Sequence, residues 1–295
     1  MKSGKRGFTL PEVIVVLVII ALAFSISAAL VPSMDRARDN ARRMLCANNL
    51  RRVGAAMIMY AGTYDNLLPT NQGTPCGQTK VQVETHPYVL YRNDFRNCDK
   101  SVDPDGKLIP LRFACLFETG FITDPNLFYC PASEYSWFRY ESYIDPPPWG
   151  TLPQNYNSSP GGPGNEWVRM SYTYYPTDSN APKRTDPQTG FKYREPNCAR
   201  FDRLDGTLPY ATDVIWTRDT LSHKSGIRRV NNKVVVLDPG INGLFKDGHV
   251  VYCADPNVFT DNLTTPAGVV WYLKESSILA NWNVFYYTIF DMIEP

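Results

Sequence analysis

The sequence predicts an α+β chain, with one long N-terminal helix followed by a body of short antiparallel strands and long loops. Three observations carry this. An uncharged apolar run, Val13 to Val31, leads into a segment whose apolar residues recur every three to four positions. The rest is rich in strand-favouring aromatics and in breakers, with 18 Tyr, 14 Phe, 6 Trp and 24 Pro among 295 residues. Near the C-terminus, FKDGHVVYC places Asp247-Gly248 between apolar stretches, which marks a hairpin.

The apolar run holds 19 residues, a helix about 28 Å long at about 1.5 Å per residue, which matches the hydrocarbon thickness of a bilayer. Lys2, Lys5 and Arg6 precede it, so the N-terminus is expected in the cytoplasm and the body outside it. A cleaved secretory signal peptide fits less well. The run is long for a signal core, no breaker-rich region with a small-x-small site follows, and the helical period continues. After Pro32, the residues Met34, Ala37, Ala41, Leu45, Val53, Met57, Tyr60 and Tyr64 mark one face. Arg36, Arg38, Asp39, Arg42, Arg43, Arg51 and Arg52 fill much of the other. This is an amphipathic helix of about 30 residues, expected to end near Gly62 before YDNLLP, with a bend at Pro32. Gly54, Ala55 and Ala56 offer a flat patch for a closely approaching strand, with Met57 and Tyr60 covering the sheet.

Glu12 stands at the head of the apolar run. A carboxylate at the edge of a membrane segment is a functional-site hypothesis and needs a partner. A local alternative is a capping box, Thr9-x-x-Glu12, with Pro11 in the first turn.

KRGFTLPEVIVVLVIIALA resembles the type IV prepilin N-terminus shared by pilins and the pseudopilins of type II secretion: a short basic leader, Gly7, Phe8, Thr9, Leu10, Glu12 and the apolar run. The resemblance implies cleavage by prepilin peptidase between Gly7 and Phe8, then N-methylation of Phe8. It also implies that Glu12 pairs with the freed amine of Phe8 on a neighbouring identical or related pilin subunit. Both charges would be desolvated in a filament core, so each needs the other. CANNLRRVGAAMIMYAGTYDNLLP is similar to a segment of pilin-like proteins of planctomycetes and related bacteria, through Cys46, Asn49, Leu50, Arg51, Gly54, Tyr60, Ala61, Leu68 and Pro69. FKDGHVVYC resembles the C-terminal hairpin of the same group. That group usually has a histidine about ten residues before the Asp-Gly. Here the nearest upstream histidine is His223, with 23 residues before Asp247. Either IRRVNNKVVVLDPGI is an insertion or that half of the pattern is missing.

The implied organisation is a leader at 1–7, a transmembrane and assembly helix at 8–31, its amphipathic half at 32–64 and an extracytoplasmic body at 65–295. In the body, LRFACLFETGFI (111–122) reads as a short helix ending at Gly120, and NLFYCPAS (126–133) as a strand and a turn. Residues 145–165 are loop. VRMSYTYYP (168–176) and YATDVIWTRD (210–219) alternate as strands, and Gly243–Lys246 and His249–Cys253 flank a type I′ turn at Asp247-Gly248.

Charge and motifs exclude several function classes. The 30 basic and 29 acidic residues leave a net charge of +1, which argues against a nucleic-acid partner. No Walker A, GxGxxG, HExxH or GxSxG pattern occurs, so no enzyme activity and no cofactor are expected. The seven cysteines, at 46, 76, 98, 115, 130, 198 and 253, form no CxxC. In an exported body they are expected to form disulfides with one left over, and sequence does not rank the pairings. His86, His223 and His249 are scattered and form no zinc-ligand spacing. Among Asp213, Asp219, Asp238, Asp247 and Asp255, all near strand ends, the calcium candidates are Asp238, Asp247 and Asp255, against the simpler account that Asp-Pro and Asp-Gly build turns.

The expected function is a structural subunit of a type IV pilus-like or type II secretion pseudopilus filament. It would be anchored in inner-membrane lipid and handled by prepilin peptidase and the inner-membrane assembly machinery. The alternative is a membrane-anchored module that binds glycan or protein through Trp137, Tyr140, Tyr143 and Trp149 without polymerising.

Overall fold

Helix α1 runs from Leu10 to Thr63. The computed structural model describes residues 10–69, 86–92, 109–144, 149, 167–224, 226–230 and 233–295, with backbone alone at 23, 26–36, 92, 109, 167, 226–230 and 233–237. It divides into two units, Met1–Ala41 and Arg42–Pro295.

In the first unit, the helical side chains from Val13 to Ile20 are 44 to 60% exposed. Ser25 returns its hydroxyl to the Ala21 carbonyl at 2.8 Å, so this polar group needs no solvent.

In the second unit, α1 buries a stripe made of Cys46, Leu50, Val53, Gly54, Ala56, Met57 and Ala61. Each large apolar side chain here contributes about 1.5–3 kcal/mol by leaving water. The stripe differs in part from the expected face. Leu45, Ala55 and Tyr64 are exposed, because the side of this part of α1 that meets the rest of the unit is centred on Cys46, Leu50, Val53 and Met57; Ala37 and Ala41, in the first unit, are exposed there. Gly54 is used as expected. A Cβ there would lie 2.9 Å from Leu244 Cδ1, so the leucine side chain packs directly onto the helix backbone at this glycine and would have to shift for any larger residue. The helix stops where Asp65 and Asn66 enter the left-handed region (φ 49° and 59°), and Asn66 N–H closes onto the Ala61 carbonyl at 2.7 Å.

The strands are β1 (Val89–Arg92), β2 (Ile109–Pro110), β3 (Trp167–Arg169), β4 (Tyr172–Tyr174), β5 (Arg184–Thr185), β6 (Lys192–Tyr193), β7 (Ala211–Asp213), β8 (Gly226–Val230), β9 (Lys233–Leu237), β10 (Ile241–Leu244) and β11 (Val250–Cys253). All described pairs are antiparallel, in sheets ordered β2-β1-β3 and β11-β10-β7-β4 and in the hairpins β5–β6 and β8–β9. Three further helices are α2 (Ala114–Glu118), α3 (Pro266–Glu275) and α4 (Trp282–Phe290).

The four-stranded sheet has a core on each face. Tyr172, Tyr174, Ala211 and Leu244 join the α1 stripe in one core. Ile241 and Phe245 join Trp271, Phe285 and Ile289 of α3 and α4 in the other. The architecture is therefore α+β, as expected, but with a helical layer on the second face that the sequence reading lacked. Thr265 caps α3 by accepting from Gly268 N–H at 3.1 Å, and Asn281 caps α4 by accepting from Asn283 N–H at 3.1 Å.

Three local expectations change. NLFYCPAS holds a 3₁₀ turn at Pro125–Phe128, not a strand, because Asp124 accepts from Asn126 N–H and Pro125 takes the first helical position. VRMSYTYYP is broken into β3 and β4 at Met170-Ser171, where Ser171 Oγ donates to the Phe138 carbonyl at 2.5 Å. At the DG hairpin, only Gly248 has positive φ (88°) and its N–H bonds to the Phe245 carbonyl at 2.9 Å. This is a type I turn closed by a left-handed glycine, not type I′. Helix α2 ends at Glu118, close to the expected stop, with Gly120 in the left-handed region (φ 78°) just after it. Residues 145–148 and 150–165 of the expected long loop lie outside the described residues.

Candidate functional site

Gly7 and Phe8 lie outside the described residues, as does Thr9. Glu12 lies in the first turn of α1 and is exposed. The expected span Val13–Val31 includes positions whose side chains are not described. Among the described residues, no helix is long and apolar enough to cross a membrane.

The body holds a buried polar cluster under α1. Cys46 comes from the buried stripe of the helix. Cys130, just after the 3₁₀ turn at Pro125–Phe128, is bonded to it by a disulfide with Cα atoms 5.1 Å apart. Asn49, almost one turn further along α1, donates to the Tyr129 carbonyl at 3.2 Å and holds the same loop. Strand periodicity supplies the facing groups. Asp213 shares its side of β7 with Ala211 and pairs with Tyr172, while Asn242 shares its side of β10 with Leu244. Ala211, Tyr172 and Leu244 all belong to the core that includes α1, so Asp213 and Asn242 point into it.

His223 completes the cluster at 3% exposure. Its Nε2 lies 3.4 Å from Asp213 Oδ2, 3.1 Å from Asn242 Nδ2 and 3.7 Å from Cys130 Sγ. Asn242 also donates to Asp213 Oδ2 through its backbone N–H at 2.6 Å and its amide at 2.9 Å. Nε2 thus faces both the Asn242 amide and the Asp213 carboxylate, and whether it donates or accepts depends on the imidazole tautomer. Burial pushes the Asp213 carboxyl above the usual carboxylate range, opposed by His223 and by the two Asn242 donors. Asp213 Oδ1 is buried with no hydrogen-bond partner among the described residues.

Sequence reading gave His223 no role because 23 residues part it from Asp247. A hairpin lies between His223 and the DG turn. β8 and β9 pair only with each other, from Gly226↔Leu237 to Val230↔Lys233, and the chain returns so that Gly240 N–H donates to the His223 carbonyl at 2.9 Å. Asp213 was visible only as one acidic residue among several near strand ends.

Other expected sites are not brought together. Asp247 accepts from His249 N–H at 3.0 Å and pairs with its imidazole, Asp255 accepts from Asn257 N–H at 2.8 Å, and Asp238 is exposed in the loop after β9. Among the described residues, Asp238, Asp247 and Asp255 share no metal-sized group. The group of that kind is Cys46, Cys130, Asp213 and His223. His86 packs against Tyr88 and Trp282, and His249 stacks on Phe245. Tyr143 is fully buried, and Trp149 packs against Tyr91, Phe117 and Phe128. These two aromatics are core, not a binding surface. Cys198 and Cys253 are thiols outside any disulfide, so more than one cysteine is left over. Burial pushes the Cys198 thiol up to about 11.

The comparisons with known families support a type IV pilin-like protein. Two family models match the chain: the prokaryotic N-terminal methylation motif over residues 2–28, and the family described as protein of unknown function (DUF1559) over residues 35–89. No curated protein and no solved structure matches it.

Proposed function

We propose that this chain is a non-catalytic filament subunit. It is cut by prepilin peptidase between Gly7 and Phe8, methylated on Phe8, anchored by Val13–Val31 in the inner membrane with its body outside the cytoplasm, and assembled helix against helix into a pilus-like or pseudopilus fibre. The observation that carries the reading is the prepilin motif, matched over residues 2–28, at the head of a helix whose described apolar side chains from Val13 to Ile20 are exposed in their own unit. Lipid covers them before assembly and neighbouring helices cover them after it. Glu12, exposed in the first turn, then finds the Phe8 amine of the next subunit and sets the axial register.

Mass spectrometry of the mature N-terminus, with and without Glu12→Val, tests this. The expected result is an N-methylated Phe8 peptide from both forms and a loss of filament yield in the variant. A retained leader, or cleavage beyond residue 25, would sink the processing step. An unchanged filament yield in Glu12→Val would remove the register role.

One observation favours a second reading, a membrane-anchored binding module. A cleft of about 300 Å³ opens beside Cys130, lined by Asn49, Tyr129, Arg139, Tyr140 and Glu141. Its mix of aromatic faces and charged groups suits a glycan or a peptide. Processing without any crosslinked multimers would favour it.

A further inference from the structure

We propose that, when Cys46 and Cys130 are reduced, these two cysteines, His223 and Asp213 bind one zinc ion, so that a metal can hold α1 to the Cys130 loop in place of the disulfide. The inference does not rest on filament assembly. It begins from the one group of buried ligands in the described body. One ligand atom from each of Cys46, Cys130, Asp213 and His223 lies within 4.8 Å of every other, and all four residues are buried.

The donor set selects the metal. Two thiolates, an imidazole nitrogen and one carboxylate oxygen are four ligands of mixed softness, the number and kind that zinc takes tetrahedrally, whereas calcium needs six to eight oxygens. Zn–S near 2.3 Å and Zn–N or Zn–O near 2.0 Å place tetrahedral ligands about 3.3–3.8 Å apart. The cluster therefore needs only small side-chain rotations once the sulfurs separate. The Cα separation of 5.1 Å is short enough for a disulfide and leaves room for two sulfurs to meet one ion.

Two further features point to a cation. Asp213 is fully buried, and its Oδ1 has no partner among the described residues, although a buried carboxylate oxygen is costly to leave unmatched. Asn242 meanwhile fixes the other oxygen with two donors, as outer partners of metal ligands do. The charges also improve. Two thiolates, one carboxylate and Zn²⁺ leave a single negative charge where the apo thiolate state would leave three. His223 Nε2 faces the cluster with its lone pair once the proton is on Nδ1, which is the state a zinc ligand requires.

The redox step balances with a dithiol reductant. The Cys46–Cys130 bond takes two electrons and two protons and becomes two thiols, while the dithiol gives up the same and becomes a disulfide. Zinc then displaces the two thiol protons to solvent. Oxidation reverses the order and releases the ion.

The test uses the full chain in detergent, reduced with a phosphine, stripped with EDTA and titrated with zinc against a chromophoric chelator, with cobalt as the spectroscopic probe. The expected result is one tight site in the reduced chain, at least about 100-fold weaker binding in the oxidised chain and in C46S/C130S, and a tetrahedral cobalt spectrum with sulfur-to-metal charge transfer. His223→Gln and Asp213→Asn should each weaken zinc about 10- to 100-fold while their oxidised forms keep the wild-type near-UV circular dichroism. Equal binding by reduced wild type and C46S/C130S would overturn the proposal, since the remaining cysteines would then be the ligands. So would unchanged affinity and cobalt spectrum in both His223→Gln and Asp213→Asn. A reduced chain that unfolds and does not regain its near-UV signal on adding zinc would also overturn it.

Discussion

Replacing both cysteines of the staple, in Cys46→Ala/Cys130→Ala, should cost this protein more stability than removing any ordinary surface contact. The bond joins residues 84 apart in sequence. Closing a loop of about 84 residues removes about 15 cal/mol/K of chain entropy from the unfolded state, or about 4.5 kcal/mol at 25 °C. Both sulfurs are buried, with Cys46 at 0% and Cys130 at 3% exposure, so truncation adds roughly 1 kcal/mol of lost apolar burial. Retained structure in the unfolded chain subtracts from the entropic part, which leaves about 3–5 kcal/mol as the expected fall. Urea unfolding of the detergent-solubilised chain in EDTA, followed by tryptophan fluorescence, measures it. All six tryptophans lie between Trp137 and Trp282, so the signal reports the body and not the N-terminal apolar run. A fall below about 1 kcal/mol would refute the reasoning, because the loop between the helix and the Cys130 segment would then already be closed by other contacts in the unfolded state.

Two further outcomes follow from single residues. Gly268→Ala should destabilise by about 1–3 kcal/mol although alanine favours a helix, because the new Cβ would sit 2.0 Å from the Asn262 carbonyl oxygen, which is backbone and cannot rotate away. Gly62→Ala, with open space around it, should be neutral or gain up to about 1 kcal/mol, and equal thermal midpoints for the two variants would contradict the packing argument. Lys274 is buried among aromatic rings, 4.0 Å over Trp282, and donates to the Trp216 carbonyl at 2.8 Å. Burial pulls its ammonium down from 10.5 to about 7, while Glu275 and the ring faces oppose the change. Between those values the unfolded chain holds the extra proton, so stability should rise with pH from about 7 upward, by at most about 1.4 kcal/mol per pH unit, and stay at its low plateau below. Urea midpoints at pH 6.5 to 8.5 should show this slope in the wild type and lose it in Lys274→Met; identical slopes would remove Lys274 as the cause.

Much of the helical half was legible because its signals are local. The period of three to four residues through Val53, Met57 and Tyr60 placed α1, and the turn residues at 64–66 placed its end within a residue or two. Its face was partly misjudged. Apolar residues such as Leu45 and Tyr64 share the helical period without being covered, and which stripe is buried depends on where the sheet lies. The DG hairpin was legible in place but not in turn type, since Asp247 keeps negative φ and pairs with His249 instead. The C-terminal helices went unread. Their caps, Thr265 and Asn281, stand in a stretch whose aromatics, Trp271, Phe285 and Tyr286, also suit strands.

By itself the sequence determined the class of molecule: a prepilin-type N-terminus with Glu12 five residues into the implied product, an apolar run of membrane length, an amphipathic continuation and a hairpin near the C-terminus. Those are patterns written in neighbouring residues, where spacing alone carries the chemistry. The tertiary structure decided which cysteine meets Cys46, that the chain returns to His223 after the β8–β9 hairpin, and that Asp213 and Asn242 face it from adjacent strands. Those contacts join residues from 10 to 93 positions apart. Nothing in the local spacing encodes them, because they exist only once the helix and both strands have been packed around one core.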